Sequence, residues 1–287
     1  MRVAISLALV MLTACGRHSG SSVTLRFHPP AGAVYHYGLE QKTQISIESG
    51  PLAGLGMGKQ RLTMRMFFTQ TVKGAAPEGG TEVEVVFENV TMEMPGVPTA
   101  QIASELSKMN GLRSTVVYDE RGTIVRSTFT PPPGLDPAVA SQMQNGVQSI
   151  TFGFPDHPVR EGDSWTVTTD LPLEQIPGAD ASRAGSATTT VTVREIRVAA
   201  ADTSVVLDLK TEFPKGPINV ATGGQTGVLR LDGSLAGHQQ FSITRGAILD
   251  GLISGSTRMN MTGGVLGAKG MDMTTETETS IFLLPGK

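Results

Sequence analysis

The residue with the most specific chemistry is a cysteine near the N-terminus. Cys15 is the only cysteine among the 287 residues, so the chain cannot form an internal disulfide bond. It follows Arg2 and an apolar run, Val3–Leu12. That run is shorter than the roughly 20 residues that a transmembrane helix needs, and it is typical of a cleaved secretion signal. We therefore expect residues 1–14 to be a signal peptide.

The four residues that end this segment, Leu12-Thr13-Ala14-Cys15, resemble the lipobox of bacterial lipoproteins. The resemblance implies that Cys15 is acylated, with palmitate among its chains, and becomes the first residue of the mature protein. Buried acyl chains contribute about 0.8 kcal/mol per methylene, so the membrane is an expected partner through this anchor alone. Gly16 stands where the family's inner-membrane retention signal has Asp, which implies the outer membrane, facing the periplasm. Residues 15–24 are then the lipidated cysteine and a flexible tether.

Methionines could supply a second chemistry because most of them occur in pairs. Four Met-x-Met pairs are present: Met64/Met66, Met92/Met94, Met259/Met261 and Met271/Met273. On a β-strand, residues i and i+2 point to the same face, so each pair would place two thioethers side by side.

Three interpretations of these pairs stay open. Methionine fills irregular gaps in a core, and it also lines plastic pockets for lipids or other hydrophobic ligands. Thioethers also select Cu(I), which needs three or four soft donors at one point, and distant pairs could supply these only as neighbours in a sheet. We expect at least two pairs to face a common apolar interior, and the ligand to be hydrophobic rather than copper. No cofactor or metal is predicted.

Other reactive residue types do not form a recognisable catalytic site. Gly162-Asp163-Ser164-Trp165 superficially resembles a serine hydrolase block, but the partner histidine motif and the alternating helices of that fold are missing. The five histidines never occur at zinc-ligand spacing. We interpret Gly162-Asp163 as a turn and Trp165 as a largely buried residue beginning a strand, and we predict that the protein is not an enzyme.

Composition and patterning indicate the elements that carry these residues. The chain is 17% charged and 5% aromatic, with 34 glycines and 17 prolines, as in a loop-rich β protein. Its formal net charge of −3 lacks the basic excess that nucleic-acid binding needs. Period-two alternation predicts two hairpins. The first has strands around residues 62–71 and 82–88, joined by a turn at 73–80. The second has strands around 191–198 and 204–210, joined by a turn at 199–202, with a bulge near Arg194-Glu195.

The remaining segments are assigned by local signals. Helices are predicted over Pro98–Met109 and from Asp136 to Val147, and loops over 214–227 and 263–270. The strand Asp272–Leu284 is predicted to bury Ile281-Phe282-Leu283-Leu284 between layers. Its acidic face is predicted to stay solvated and discourage edge pairing.

Two short matches indicate an internal duplication. The first pairs Pro29–Tyr37 with Pro158–Val167, centred on Gly32 and Gly162, and the second pairs Arg121-Gly122-Thr123-Ile124 with Arg245-Gly246-Ala247-Ile248 as hairpin turns. We therefore predict two mostly β half-repeats, 25–150 with the helices and 151–287.

Residues 154–165 resemble the signature F-P-x-x-P-V-x-x-G-D-S-W of a bacterial family of secreted or lipid-anchored proteins catalogued as a domain of unknown function. The family is similar in strand pattern to LolA- and LppX-type lipoprotein carriers. That likeness implies a bent antiparallel sheet forming an open half-barrel whose concave face, covered by short helices, holds acyl chains. It brings no catalytic residues with it.

The expected protein is mainly β and antiparallel, with two related halves forming an open half-barrel or strongly bent sheets and one or two short helices. The expected function is that of a non-enzymatic envelope lipoprotein binding a hydrophobic or lipid ligand in the periplasm. The alternatives are a structural or interaction lipoprotein without a small ligand, and a methionine-based Cu(I) binder. An apolar concave cavity would favour the ligand, and a concave side filled by its own side chains would favour the structural role.

Overall fold

A computed structural model describes residues 21–50, 53, 58–98, 100, 103, 106–132, 153–171, 185–222, 225–263 and 270–286. The predicted signal peptide, Cys15 and the helix predicted from Asp136 lie outside these residues. No helix among the described residues has the length and apolar character needed to cross a membrane.

Twelve strands make up most of the described chain. They are β1 Val34–Ser49, β2 Lys59–Ala75, β3 Thr81–Glu93, β4 Arg113–Tyr118, β5 Ile124–Thr130, β6 Ser164–Asp170, β7 Ser186–Val198, β8 Thr203–Glu212, β9 Pro217–Thr222, β10 Gln225–Ser242, β11 Ala247–Gly263 and β12 Met271–Leu283.

All twelve strands belong to one sheet, in the order β5-β4-β3-β2-β1-β12-β11-β10-β8-β7-β6, with β9 paired to β10. Strands β1 to β5 form one meander, and β6, β7, β8, β10 and β11 form a second. Strand β12 pairs antiparallel with both β1 and β11, so the two meanders are joined into one sheet. The predicted antiparallel β fold is confirmed.

The core shows that this sheet is strongly bent. We call the strands on either side of β12 the two wings of the sheet: β1 to β5 form one, and β6 to β11 form the other. Val83 on β3 and Val205 on β8 lie in opposite wings, yet they belong to one buried cluster. Leu25 and Phe27 of the N-terminal segment and Phe154, which precedes β6, belong to the same cluster and are about 1% exposed. Two non-strand segments thus pack between the wings, and the sheet is an open half-barrel as predicted.

The predicted hairpins are present with their turns. Strands β2 and β3 pair across residues 76–80, and β7 and β8 pair across 199–202 with a register shift between Val193 and Glu195, where the bulge is predicted. The two Arg-Gly matches lie in the β4–β5 and β10–β11 turns. Within the predicted helix Pro98–Met109, residues 100, 103, 106 and 107 are helical.

The two Gly-centred matches also share their hydrogen bonds. Gly32 N–H donates to the Val72 carbonyl, and Val72 N–H donates to the Ala33 carbonyl, each at 2.9 Å. Gly162 and Asp163 make the same pair of bonds with Val193, at 2.8 and 2.9 Å. Both glycines have a positive φ, of 78° and 88°, which glycine adopts without strain. These matched turns support the duplication, which stays a prediction.

The prediction of a loop over 214–227 is wrong. Strand β8 ends at Glu212, and β9 then continues beside the same neighbour, β10, from Pro217. Proline cannot donate to a ladder, so Pro214 fits the break between the strands, whereas Pro217 is tolerated as the first residue of β9. The glycines and prolines of this segment favoured a loop prediction, whereas the structure has two short strands, β8 and β9, in line beside β10.

The prediction for the C-terminal strand is wrong in two respects. Strand β12 lies at the centre of the sheet, so its acidic residues do not protect an edge. Phe282 is 39% exposed rather than buried between layers. Its ring lies over Gly38, directly opposite on β1, where an added Cβ would come within 2.4 Å of the ring. An outward aromatic side chain here occupies the space that the glycine leaves.

Candidate ligand-binding face

We define the inner face as the side of the sheet that carries the core cluster. Residues directly opposite each other on paired strands share a face, so register alone assigns each side chain. On β2, Met64 is opposite Gln41 and Met66 is opposite Leu39 of β1. Leu39 is two residues from Tyr37, which is 2% exposed and stacks on Phe68 at 5.2 Å between ring centroids. The first methionine pair therefore lies on the inner face.

Register places the other strand methionines on the same face. Met92 of β3 is opposite Met64, and Met273 of β12 is opposite Ile47 of β1. Met259 is opposite Met273, and Met261 is opposite Met271. Met94 follows the end of β3, so register does not assign it. Seven of the eight paired methionines share a face that continues from the core.

Aliphatic side chains flank these methionines on the inner face: Ile45 and Ile47 on β1, Leu62 on β2, Ile218 on β9, and Leu229 and Leu231 on β10. Ile218 and Leu229 are buried and form a small cluster with Met259 and Met261. Ile45, Ile47, Leu62 and all eight methionines are half-buried. The end of the inner face that carries Ile45, Ile47 and the methionines of β11 and β12 is apolar and only partly covered, whereas Met64 and Met66 lie nearer the core, in register with Thr279 and Ile281. Of the aliphatic members only Leu62 shares a strand with a methionine pair, in phase with Met64 and Met66, whereas the others lie on strands without methionine and are grouped with them only by register.

A band of threonines separates this apolar end from the closed core. The band consists of Thr43 on β1, Thr257 on β11, and Thr275, Thr277 and Thr279 on β12, which share the inner face by register. Each is half-buried. Hydroxyl groups can donate and accept hydrogen bonds, so the band adds polar groups beside an apolar surface.

The outer face carries charges instead. Arg65 Nε donates to Glu40 Oε2 at 2.7 Å, and Lys42 Nζ donates to Glu278 Oε1 at 3.0 Å. Hydrogen bonds from Arg65 and then Lys42 hold the pKa of Glu40 below its usual value. A shallow depression of about 610 Å³ on this face is lined mainly by polar and charged residues of β1, β2, β11 and β12. The two faces of the sheet therefore present opposite chemistry.

The Gly162-Asp163-Ser164-Trp165 block forms a turn followed by a strand. Asp163 Oδ2 accepts a hydrogen bond from Arg160 N–H at 2.8 Å, which closes the turn. Ser164 Oγ lies 2.9 Å from Thr192 Oγ1 on the neighbouring strand rather than beside a base. Trp165 is half-buried, less than expected. Among the described residues, no group of three or more His, Cys, Asp or Glu side chains is placed to hold a metal ion.

No protein-family model and no curated protein sequence matches the chain. Among solved structures, the chain is similar to one described as lipid–protein interactions in lipovitellin, with 12% identity and a TM-score of 0.46. The match covers 90% of this chain and 25% of that chain, so this chain spans about a quarter of its relative.

Proposed function

We propose that this protein is a non-enzymatic, lipid-anchored envelope protein that holds a hydrophobic ligand on the inner face of its bent sheet. The observation that carries the proposal is the half-buried row of methionine and isoleucine side chains on that face. A contiguous apolar surface that its own chain covers only in part is typical of a binding site. Methionine side chains adapt to acyl chains of different shape, which favours a lipid as the ligand.

The inner face can be tested with one charge placed on either side of β1. Ile45 points to the inner face and its neighbour Gln44 to the outer face, and both are half-buried. We expect Ile45→Glu to weaken binding of a fluorescent fatty acid at least tenfold, because a carboxylate beside the acyl chain must be desolvated. Gln44→Glu, with the same charge in the same strand, should bind as the wild type does.

The result separates this proposal from the structural alternative. If the wild-type protein binds no fatty-acid probe, or if both variants bind equally well, the inner face is not a ligand site. An envelope interaction protein without a small ligand is then the better interpretation. Circular dichroism of both variants checks that any difference in binding does not come from unfolding.

The anchor is tested separately at Cys15. Cys15→Ser removes the thiol that the lipobox resemblance identifies as the acylation site, so the variant should leave the membrane fraction and incorporate no labelled palmitate. Cys15 lies before Val23, which bridges to Val159 and lies within the predicted tether, so the thermal unfolding of the domain should not change. Labelled palmitate in the serine variant, or an unchanged membrane fraction, would contradict the lipoprotein interpretation.

A further inference from the structure

Two Met-x-Met pairs lie on neighbouring strands, which is the arrangement that a Cu(I) site would require. Met259 and Met261 lie on β11, and Met271 and Met273 lie on β12, which pairs with it. Met259 is directly opposite Met273, and Met261 is directly opposite Met271. Two pairs that are ten residues apart in sequence thus form a rectangle of four thioethers, which we call the methionine quartet.

The dimensions of this rectangle suit a single ion. Cβ atoms of opposite residues are about 5 Å apart, and residues i and i+2 on a strand are about 7 Å apart, so each Cβ lies about 4 Å from the centre. A methionine sulfur is two bonds beyond its Cβ, and the flexible side chain can turn it toward that centre. Three or four sulfurs can therefore converge on one point.

Among the described residues, the quartet's neighbours on the strands beside β11 and β12 are apolar, and Thr257 and Thr275 flank it along its own strands. Its inner-face neighbours are Leu229 and Leu231 on β10 and Ile47 on β1. The charged Arg258 and Asp272 alternate with the methionines and point to the outer face, where Asn260 donates to Asp272 at 2.9 Å. Four thioethers and at most two neutral hydroxyls, with no carboxylate on this face of the two strands, favour a soft ion over Mg²⁺, Ca²⁺ or Zn²⁺.

Partial exposure allows an ion to enter. All four quartet residues are half-buried, and Met259 and Met261 pack against the buried cluster of Ile218 and Leu229. The apolar cluster packs against Met259 and Met261, and all four side chains keep part of their surface exposed.

We propose that the methionine quartet is a binding site for a soft monovalent metal ion, Cu(I) or its analogue Ag(I). The sequence left Cu(I) as the third interpretation of the methionine pairs, on the condition that pairs are neighbours in the sheet, and β11 and β12 meet that condition. The site does not depend on the fatty-acid proposal, since it needs only the four sulfurs. The other inner-face group, Met64, Met66 and Met92, is a separate set: Met64 is in register with Thr279, six residues beyond Met273 on β12, which corresponds to about 20 Å along the strands.

The test uses the full chain with Cys15→Ser in every variant, because a free thiol would bind Cu(I) itself. Cu(I) is titrated without oxygen against the chelator bicinchoninate, and Ag(I) binding is followed by native mass spectrometry. We expect one ion per chain with sub-micromolar affinity, at least a tenfold loss in Met259→Leu/Met261→Leu, and no competition from Zn²⁺. Leucine keeps the volume and apolarity of methionine, so the fold should not change, and thermal unfolding of the variant checks this.

The matched control is Met64→Leu/Met66→Leu, which removes two thioethers from the same face and leaves the quartet intact. It should bind Cu(I) as the parent chain does. The proposal is overturned if the parent chain takes no Cu(I) from the chelator, or if the control loses binding while Met259→Leu/Met261→Leu retains it. If the parent chain binds Cu(I) but no fatty-acid probe, the result counts only against the lipid proposal.

Discussion

Trp165 places a polar atom in the core without a partner. Its indole Nε1 is buried and has no hydrogen-bond acceptor among the described residues, while the rest of the side chain is half-buried against the core cluster. An unsatisfied buried donor costs about 1–3 kcal/mol. The half-buried ring also contributes less to stability than the largely buried aromatic residue predicted from the sequence.

We therefore predict that Trp165→Phe leaves the free energy of unfolding within about 1 kcal/mol of the wild-type value or raises it, because it removes the unpaired N–H and keeps a ring. Trp165→Ala should cost about 1–3 kcal/mol, below the 3–5 kcal/mol typical of a fully buried aromatic residue. Urea unfolding measures both. A larger loss in the phenylalanine variant than in the alanine variant would contradict this account.

The buried phenol of Tyr118 is expected to lower the stability of the protein at alkaline pH. Burial raises the pKa of its phenol to about 12, against about 10 when it is unfolded. Its contribution is complete below pH 10 and is lost as the pH rises through 12, and the shift is worth on the order of 2 to 3 kcal/mol. Tyr118→Phe should therefore lose less stability than the wild type between pH 9 and pH 12. Urea unfolding at both pH values checks this, and equal losses in the two proteins would disprove it.

At the scale of elements, glycines on the inner face allow the backbones of β10 and β11 to approach each other closely. A Cβ added to Gly237 would lie 1.9 Å from the Leu252 carbonyl oxygen, and one added to Gly255 would lie 2.1 Å from that of Ser234. Both glycines are opposite inner-face residues, Ile253 and Thr277. The close approach of the two backbones allows a local bend of the sheet, as interior glycines commonly do.

We predict that Gly237→Ala destabilises the protein by at least 2 to 3 kcal/mol, about the cost of overpacking a core, because the two strands must separate. Gly216→Ala is the matched control, since an added Cβ there has no atom within 4 Å. The control should change the melting temperature little. Equal melting temperatures for the two variants would show that the β10–β11 crossing is not tightly constrained.

At the scale of the whole molecule, the two wings of the sheet meet through a segment that belongs to neither. Phe27 N–H donates to the Glu120 carbonyl at 2.8 Å, and the Phe27 ring lies 4.7 Å from that of Tyr118. Four residues before Phe27, Val23 forms a β-bridge with Val159, which precedes β6. The N-terminal segment thus links the two predicted half-repeats.

Phe27→Ala should cost about 3–5 kcal/mol, because it leaves a cavity between the wings. Arg26→Ala, beside it, removes only an exposed ion pair with Glu120 and should cost less than about 1 kcal/mol. Denaturant titration of the two variants gives the comparison. A small loss in Phe27→Ala would mean that the wings associate without this segment.

The sequence by itself determined the local structure. Alternation of apolar and polar residues identified the strands, because side chains alternate across a pleated sheet. Turn residues identified the hairpins at 73–80 and 199–202, since glycine and aspartate favour tight turns. The Met-x-Met spacing predicted that each pair shares a face. Where prolines interrupted the pattern, as at 214–227, local signals failed because the second half of the strand is recognised only beside β10.

Only the tertiary structure decided which strands are neighbours. Strand β12 lies between β1 and β11, more than 200 residues from β1 in sequence, and no local pattern specifies such a pairing. That pairing moves the acidic residues of β12 from a predicted edge to the centre of the sheet and places Met273 opposite Ile47. The pairing of Met259 with Met273 comes instead from the consecutive strands β11 and β12. The physical reason is that strand order follows from burying one face of the whole sheet around a shared core, which is a property of all the strands together.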